Sequence, residues 1–173
     1  FNKAMEICER AIRTFPDAYG SQLCKTLIQQ IEQKSVSASV ESISLPGEEL
    51  LAQLEYRNLS SLYLKIVKLP ESPKRWRGDT WDGEEVLRKL NQLSSRKDWK
   101  QTFDSGNAHQ QHNTEIALPA LPVGHYALLV SDHENFDNNT ATTGTVMFTV
   151  SELAYWYLDD TEQGEVAAVV NRS

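Results

Sequence analysis

Cysteine is scarce in this chain: Cys8 and Cys24 are its only two, among 173 residues. Neither belongs to a CxxC pair, which removes the spacing that zinc sites and thioredoxin-like redox motifs use. Both fall on the apolar stripes of expected helices, where a thiol reads first as a small buried hydrophobe. A disulfide between the two helices is the alternative, and the cysteine count alone does not fix the redox compartment. Positive charge is also short. Lys plus Arg is 17 against 24 Asp plus Glu, a formal net charge of −7, and an acidic domain repels phosphate backbones. The sharpest basic cluster, Lys74, Arg75 and Arg77, is flanked by Glu71 and Asp79. Nucleic-acid binding is therefore excluded as an expectation. No apolar run approaches the length that spans a bilayer. No signal-peptide pattern is visible; the chain starts at Phe1 and is read as a fragment of a longer polypeptide, which would not show one. No GxSxG, GxxxxGK[ST] or GxGxxG occurs, so the common acyl-transfer and nucleotide-binding signatures are missing.

What is present is the composition of a folded protein, 40% apolar and 24% charged. The length allows one ordinary domain and a smaller unit. Ala4, Ile7, Cys8, Ala11, Ile12 and Phe15 recur at three- and four-residue spacing, which predicts a helix over residues 2–14 that Pro16 ends. Asp17 can cap a second helix reaching roughly residue 33, striped by Tyr19, Leu23, Leu27, Ile28 and Ile31. Joined by a tight turn, the two should fold back and bury their stripes against each other. So short a pair cannot hide all its apolar surface, so it should lean on the next domain or on further helices. The run from Ala4 to Pro16 resembles the second helix of a tetratricopeptide repeat, in a single copy.

From residue 35 the period becomes two. Val36, Ala38 and Val40 alternate with serines, Leu50, Ala52, Leu54 and Tyr56 alternate again, and residues 62–69 place Leu62, Leu64 and Ile66 on one face. Turn signals at Pro46–Gly47 and Asn58–Ser61 separate these runs. Residues 70–83 interrupt the pattern. Asp82 with Glu85 then forms a capping-box arrangement ahead of a helix carrying Val86, Leu87, Leu90 and Leu93. A polar loop at 104–113 follows. Strands return at 114–118, 126–131, 145–150, 153–158 and 165–170. Short strands without helices between neighbours predict a mainly β protein, an antiparallel sandwich of immunoglobulin or fibronectin type, with an N-terminal helical hairpin and an inserted helix. Val40, Leu54, Leu64, Tyr126, Leu128 and Phe148 should point inward.

Candidate chemistry is thin. His109 and His112 form an HxxH in a polar stretch without a helical stripe, so a solvated loop is the better reading than a metal site. His125 and His133 sit at a strand start and in a turn. Asp79, Asp82, Glu84 and Glu85 cluster near Trp76 and Trp81, as paired carboxylates do in glycoside chemistry. Helix capping and dipole complementation account for the same residues. Trp76, Trp81 and Trp99 bracket the inserted helix, and Trp156 lies in a late strand. Flat aromatics on a sandwich can stack on sugars, but these are expected chiefly to hold the insertion down, with at least two of the three buried against the helix at 84–95. Asn58, Asn138 and Asn171 each begin an N-x-[ST] triplet, which matters only in a eukaryotic secretory route.

The stretches SVSASVESISLPGEELLAQLEYRNLSSLYLKIVKL at 35–69, TEIALPALPVGHYALLVS at 114–131 and VMFTVSELAYW at 146–156 together resemble the first macroglobulin-like domain of bacterial α2-macroglobulin-family proteins. FPDAYGSQLCKTLIQQIE at 15–32 is similar to the helical segment ahead of that domain, and EVAAVVNRS at the end resembles the opening strand of a following one. The resemblance implies three parts: a helical hairpin at 1–34, a macroglobulin-like sandwich at 35–158 with an insertion at about 70–113, and a linker and first strand at 159–173. It implies a large periplasmic or cell-surface protein that traps proteases, with a lipid anchor as an option. Partners would be adjacent macroglobulin-like domains of the same polypeptide, and target proteases held by regions outside this stretch. The family's internal thioester motif is not matched at Cys8, followed by Glu9 and Arg10, or at Cys24, followed by Lys25 and Thr26. The expectation is therefore a non-catalytic scaffold with no catalytic residue, cofactor or metal. The alternative is a surface module binding glycan or protein through Trp76, Trp81 or Trp99.

Overall fold

The computed structural model describes residues 1–77, 83–103, 109–137, 141–160 and 164–171. In chain order these form α1 (Asn2–Thr14), α2 (Tyr19–Glu32), β1 (Ser35–Val40), β2 (Ile43–Ser44), β3 (Leu50–Arg57), β4 (Ser61–Leu69), α3 (Pro73–Arg77), α4 (Gly83–Asn91), β5 (Ser95–Thr102), β6 (Gln111–Leu118), β7 (Gly124–Ser131), β8 (Thr143–Val150), β9 (Leu153–Asp160) and β10 (Gly164–Asn171). One sheet has the order β1-β3-β6 and a second the order β2-β8-β7-β4-β5. If β1, β3, β4, β5, β6, β7 and β8 are lettered A, B, C, C′, E, F and G, the two sheets are A–B–E and G–F–C–C′. That is the arrangement of an immunoglobulin-like sandwich of fibronectin type, and the mainly β class expected from the sequence is found.

Three details differ from the sequence reading. The larger sheet is mixed: β2 runs parallel to β8, with Ile43 opposite Thr149 and Ser44 opposite Val150. Two residues are too short a run for a period of two to register. Strand β5 arises inside the stretch assigned to the insertion and pairs along β4 from Ser61↔Thr102 to Val67↔Ser95. Its sequence, SRKDWKQT, is mostly exposed, so the apolar alternation that marks a half-buried strand is missing. Strand β6 begins at Gln111, within the expected polar loop. Strands β9 and β10 form a hairpin with each other, from Leu153↔Asn171 to Asp160↔Gly164.

The core follows from alternation. Leu50, Ala52, Leu54 and Tyr56 of β3, Leu62, Leu64 and Ile66 of β4, Ile116 and Leu118 of β6, Tyr126, Leu128 and Val130 of β7, and Phe148 and Val150 of β8 fill the space between the sheets. Of the six residues expected to point inward, Leu54, Leu64, Tyr126, Leu128 and Phe148 are fully buried and Val40 is half-buried against them. Strand β7 is buried at every position from Tyr126 to Ser131 because both its faces are covered. Its other face, Ala127 and Leu129, meets Val86, Leu87 and Leu90 of α4 together with Val67, Leu69 and Phe136. Lys65 on β4 donates to the carbonyl of Asn91 at 3.0 Å, placing a cation at the α4 C-terminus, where the helix dipole favours it. The two sheets come close where β1 passes β8. A Cβ at Gly144 would lie 3.1 Å from Val130 Cγ2 and 3.2 Å from the Val36 carbonyl oxygen, so glycine is what lets the backbones approach.

Candidate functional site

The hairpin of α1 and α2 is fastened to the sandwich through one residue above all. Asn58 follows β3 in the left-handed region, with φ at 57°, a conformation asparagine tolerates better than most side chains. From there its amide donates to the carbonyls of Ile31 at 2.7 Å and Gln33 at 3.0 Å. Arg57 Nε donates to the same Gln33 carbonyl at 3.2 Å. A helix ends with carbonyls that have no intrahelical partner, and the sandwich supplies those partners to α2. The Oδ1 of Asn58 accepts from the backbone N–H of His109 at 3.0 Å, with His109 Nδ1 3.1 Å away. One side chain thus joins the end of α2, the β3–β4 turn and the start of the β6 segment.

A second tie lies across the β7–β8 connection. Lys34 Nζ meets Asp132 Oδ2 at 2.9 Å. Asp132 also accepts from the Thr142 N–H at 2.8 Å and faces His133 Nδ1 at 2.8 Å. Its side chain is 6% exposed. Burial pushes its carboxyl up, but the hydrogen bonds from Lys34, His133 and Thr142, with the Lys34 charge, outweigh that and hold it below the ordinary carboxylate value.

Held in this way, the hairpin presents an apolar face to solvent. Cys8, Ser21 and Ile31 are its buried residues. Phe1, Ile7, Phe15, Tyr19, Leu23 and Leu27 are exposed, Tyr19 by 74% and Leu23 by 54%. Tyr19, Leu23 and Leu27 share one face of α2 by their four-residue spacing, and large apolar side chains exposed along one face mark a surface that another surface covers. Sequence spacing located the stripe but set it against α1, whereas Tyr19, Leu23 and Leu27 face solvent. It did not locate the joint, because Asn58 reads only as a turn residue until its carbonyl partners from a distant helix are known.

The tryptophans divide. Trp76 on α3 is half-buried with the α4 cluster, the one of the three found beside the inserted helix among the described residues. Trp99 is half-buried on the other side of the sheet. It stands opposite Leu64 on β4, whose side chain points into the core, so strand alternation sends Trp99 to the edge of the sandwich and away from α4. Lys97 Nζ sits 5.3 Å from its ring centre. Trp81 lies outside the described residues, as do Asp79 and Asp82 of the acidic cluster. Nothing is described for the side chain of Trp156. Glu85 pairs with Lys89 along α4 at 2.8 Å, a helix-surface contact.

The histidines are separated by their partners. His109 belongs to the Asn58 joint, whereas His112 stacks on Tyr56 with ring centres 5.4 Å apart. His125 Nδ1 lies 2.9 Å from Thr149 Oγ1 across β7 and β8. Among the described residues no group of three His, Cys, Asp or Glu side chains is gathered as a metal would require, and no helix is long and apolar enough to cross a membrane. Of the three N-x-[ST] asparagines, Asn58 has its amide committed to two carbonyls.

No known family profile matches the chain, and no curated protein does. Solved structures do. The chain is similar to a CARDB domain from Pyrococcus furiosus solved with di-metal ions, at 9% identity and a TM-score of 0.39, covering 69% of this chain and 88% of that one. It is similar to Escherichia coli α2-macroglobulin activated by porcine elastase, at 10% identity and a TM-score of 0.43, covering 73% of this chain and 13% of that one. For the native conformation of that protein the identity is 9% and the TM-score 0.42, with 75% of this chain and 11% of that one covered.

Proposed function

We propose that the chain is a non-catalytic scaffold domain of a larger, α2-macroglobulin-like protein that traps proteases in the periplasm or at the cell surface. The observation that carries this reading is the exposed apolar face of Ile7, Phe15, Tyr19, Leu23 and Leu27, held at a fixed place on a sandwich by Asn58 and Arg57. A face of that kind suits a module that builds against its neighbours. The three stretches resembling the first macroglobulin-like domain narrow the choice of protein. On this reading the neighbours are further macroglobulin-like domains of the same polypeptide, and proteases are met elsewhere on it.

The test uses the full-length protein carrying Leu23→Glu with Leu27→Glu. Trapping of a protease shields it from a large inhibitor while leaving small substrates accessible. The variant should express and keep its sandwich but lose that shielding, because the domain no longer seats. Undiminished shielding by the variant, or none by the wild type, would count against the reading. The alternative of sugar binding through Trp76, Trp81 or Trp99 predicts instead that glycan affinity resides in the isolated chain and falls on Trp76→Ala.

A further inference from the structure

The helical hairpin has little to hold it shut. Its fully buried residues are one cysteine, one serine and one isoleucine; Met5, Ile12 and Ile28 are half-buried, and Ile7, Phe15, Tyr19, Leu23 and Leu27 face solvent. A unit this small generally needs a staple. Its register is fixed by Ser21, whose single hydroxyl proton is shared between the carbonyls of Phe15 at 2.5 Å and Ala11 at 3.2 Å. Ala11 of α1 therefore faces Ser21 of α2. In an antiparallel pair, three residues back along α1 and three residues on along α2 lead to the next facing positions. Those positions are Cys8 and Cys24. The Cys24 side chain lies against the Cys8 thiol as a hydrogen-bonding partner, the largest of the influences that raise the Cys8 thiol, ahead of burial. Cys8 is buried and Cys24 is half-buried.

We propose that Cys8 and Cys24 are a dithiol pair that closes to an intramolecular disulfide and clasps the hairpin. The oxidant is a disulfide donor, either a small-molecule disulfide or a disulfide oxidoreductase. The more accessible Cys24 thiolate attacks a donor sulfur, the donor S–S bond breaks, and one donor half leaves as a thiolate. The Cys8 thiolate then attacks Cys24 Sγ in the mixed disulfide, and the second donor half leaves. The two cysteines lose two protons and two electrons, and the donor disulfide gains both. Closure links the two helices through the buried residue of α1, so the apolar face stays in one shape. The proposal concerns the hairpin alone and stands whether or not the protease-trapping reading does.

The test is thiol–disulfide exchange of the reduced 173-residue chain with oxidised glutathione, followed by peptide mass mapping without reductant. The wild type should lose both free thiols, stay monomeric, and yield one cross-linked peptide pair lighter by two hydrogens. Cys8→Ser should stop at a glutathione adduct on Cys24. Cys24→Ser should form the adduct on Cys8 several-fold more slowly, since that thiol is buried. Reduction should increase proteolytic cleavage within α1 and α2 of the wild type and leave that of both variants unchanged. Stable glutathione adducts on both cysteines of the wild type, or a link between two chains in place of one within a chain, would overturn the proposal.

Discussion

The hydroxyl of Tyr126 donates to the carbonyl oxygen of Pro122 at 2.8 Å. Tyr126 stands near the start of β7, is 1% exposed and stacks on Phe148. A tyrosine at the corner leading into this strand, bonded back to the chain a few residues upstream, is a recurring device of immunoglobulin-like sandwiches. It fixes the crossing from β6 to β7, where the chain passes from one sheet to the other by way of Pro119 and Pro122. The consequence is a corner set by a single polar contact inside an apolar core.

Tyr126→Phe should therefore keep the fold and cost about 0.5–1.5 kcal/mol, the usual net worth of one hydrogen bond. Urea unfolding followed by far-ultraviolet circular dichroism measures it, with the midpoint lowered and the slope unchanged. Burial raises the Tyr126 hydroxyl above its ordinary value of 10.0, against a lowering by the Arg96 charge. Its contribution is complete below that value and fades as pH rises through the folded value, so the wild-type advantage over Tyr126→Phe should shrink in strong alkali.

Asp132 gives the opposite pH dependence. Its carboxyl is held below 3.8 in the folded chain, so its stabilisation is present above that value and is lost as pH falls through the folded one. Asp132→Asn should lower the thermal midpoint at neutral pH by the equivalent of about 1.5–3 kcal/mol, the range for a hydrogen bond to a charged group. Melting curves of both proteins should converge in strongly acid solution, below the range in which the wild-type carboxylate is ionised.

Asn58→Gly retains a backbone that favours the left-handed region and removes the side chain. The change should loosen the hairpin without unfolding the sandwich. Hydrogen exchange of amides in α2 should accelerate at least several-fold, while β4 and β7 remain protected. Equal acceleration everywhere would show that Asn58 supports the sandwich itself and is not a joint.

Ser44 is buried in β2, and its Oγ has no hydrogen-bond partner among the described residues. A desolvated hydroxyl of this kind is a cost. Ser44→Ala should be neutral or stabilising by up to about 1 kcal/mol, whereas Leu64→Ala at the centre of the core should cost about 2–5 kcal/mol. Thermal denaturation of the two variants side by side measures the contrast.

The sandwich was legible wherever one strand face is buried. Leu50 to Tyr56 and Leu62 to Ile66 alternate in sequence because they alternate between core and solvent in the fold. Strand β5 was not legible, because an edge strand buries little and its Arg96, Lys97 and Lys100 carry no apolar rhythm; charged edges of this sort keep sheets from extending. Trp99 was placed beside the inserted helix by its nearness in sequence, and only the pairing with Leu64 turns it to the opposite face. The apolar stripes of the two helices were visible as stripes. The share of them left uncovered depends on how Asn58, Lys34 and Asp132 orient the hairpin, and those partners are far apart in the chain.

The central claim is that the exposed face of the hairpin is a seat for a neighbouring domain. Hydroxyl-radical footprinting of Phe15, Tyr19, Leu23 and Leu27, in the 173-residue chain and in the full-length protein, tests it most directly. Seating predicts strong oxidation of all four in the isolated chain and several-fold weaker oxidation in the full-length protein, with Leu51, exposed on β3, serving as an internal reference that does not change. Equal oxidation of the four residues in both proteins would contradict the claim.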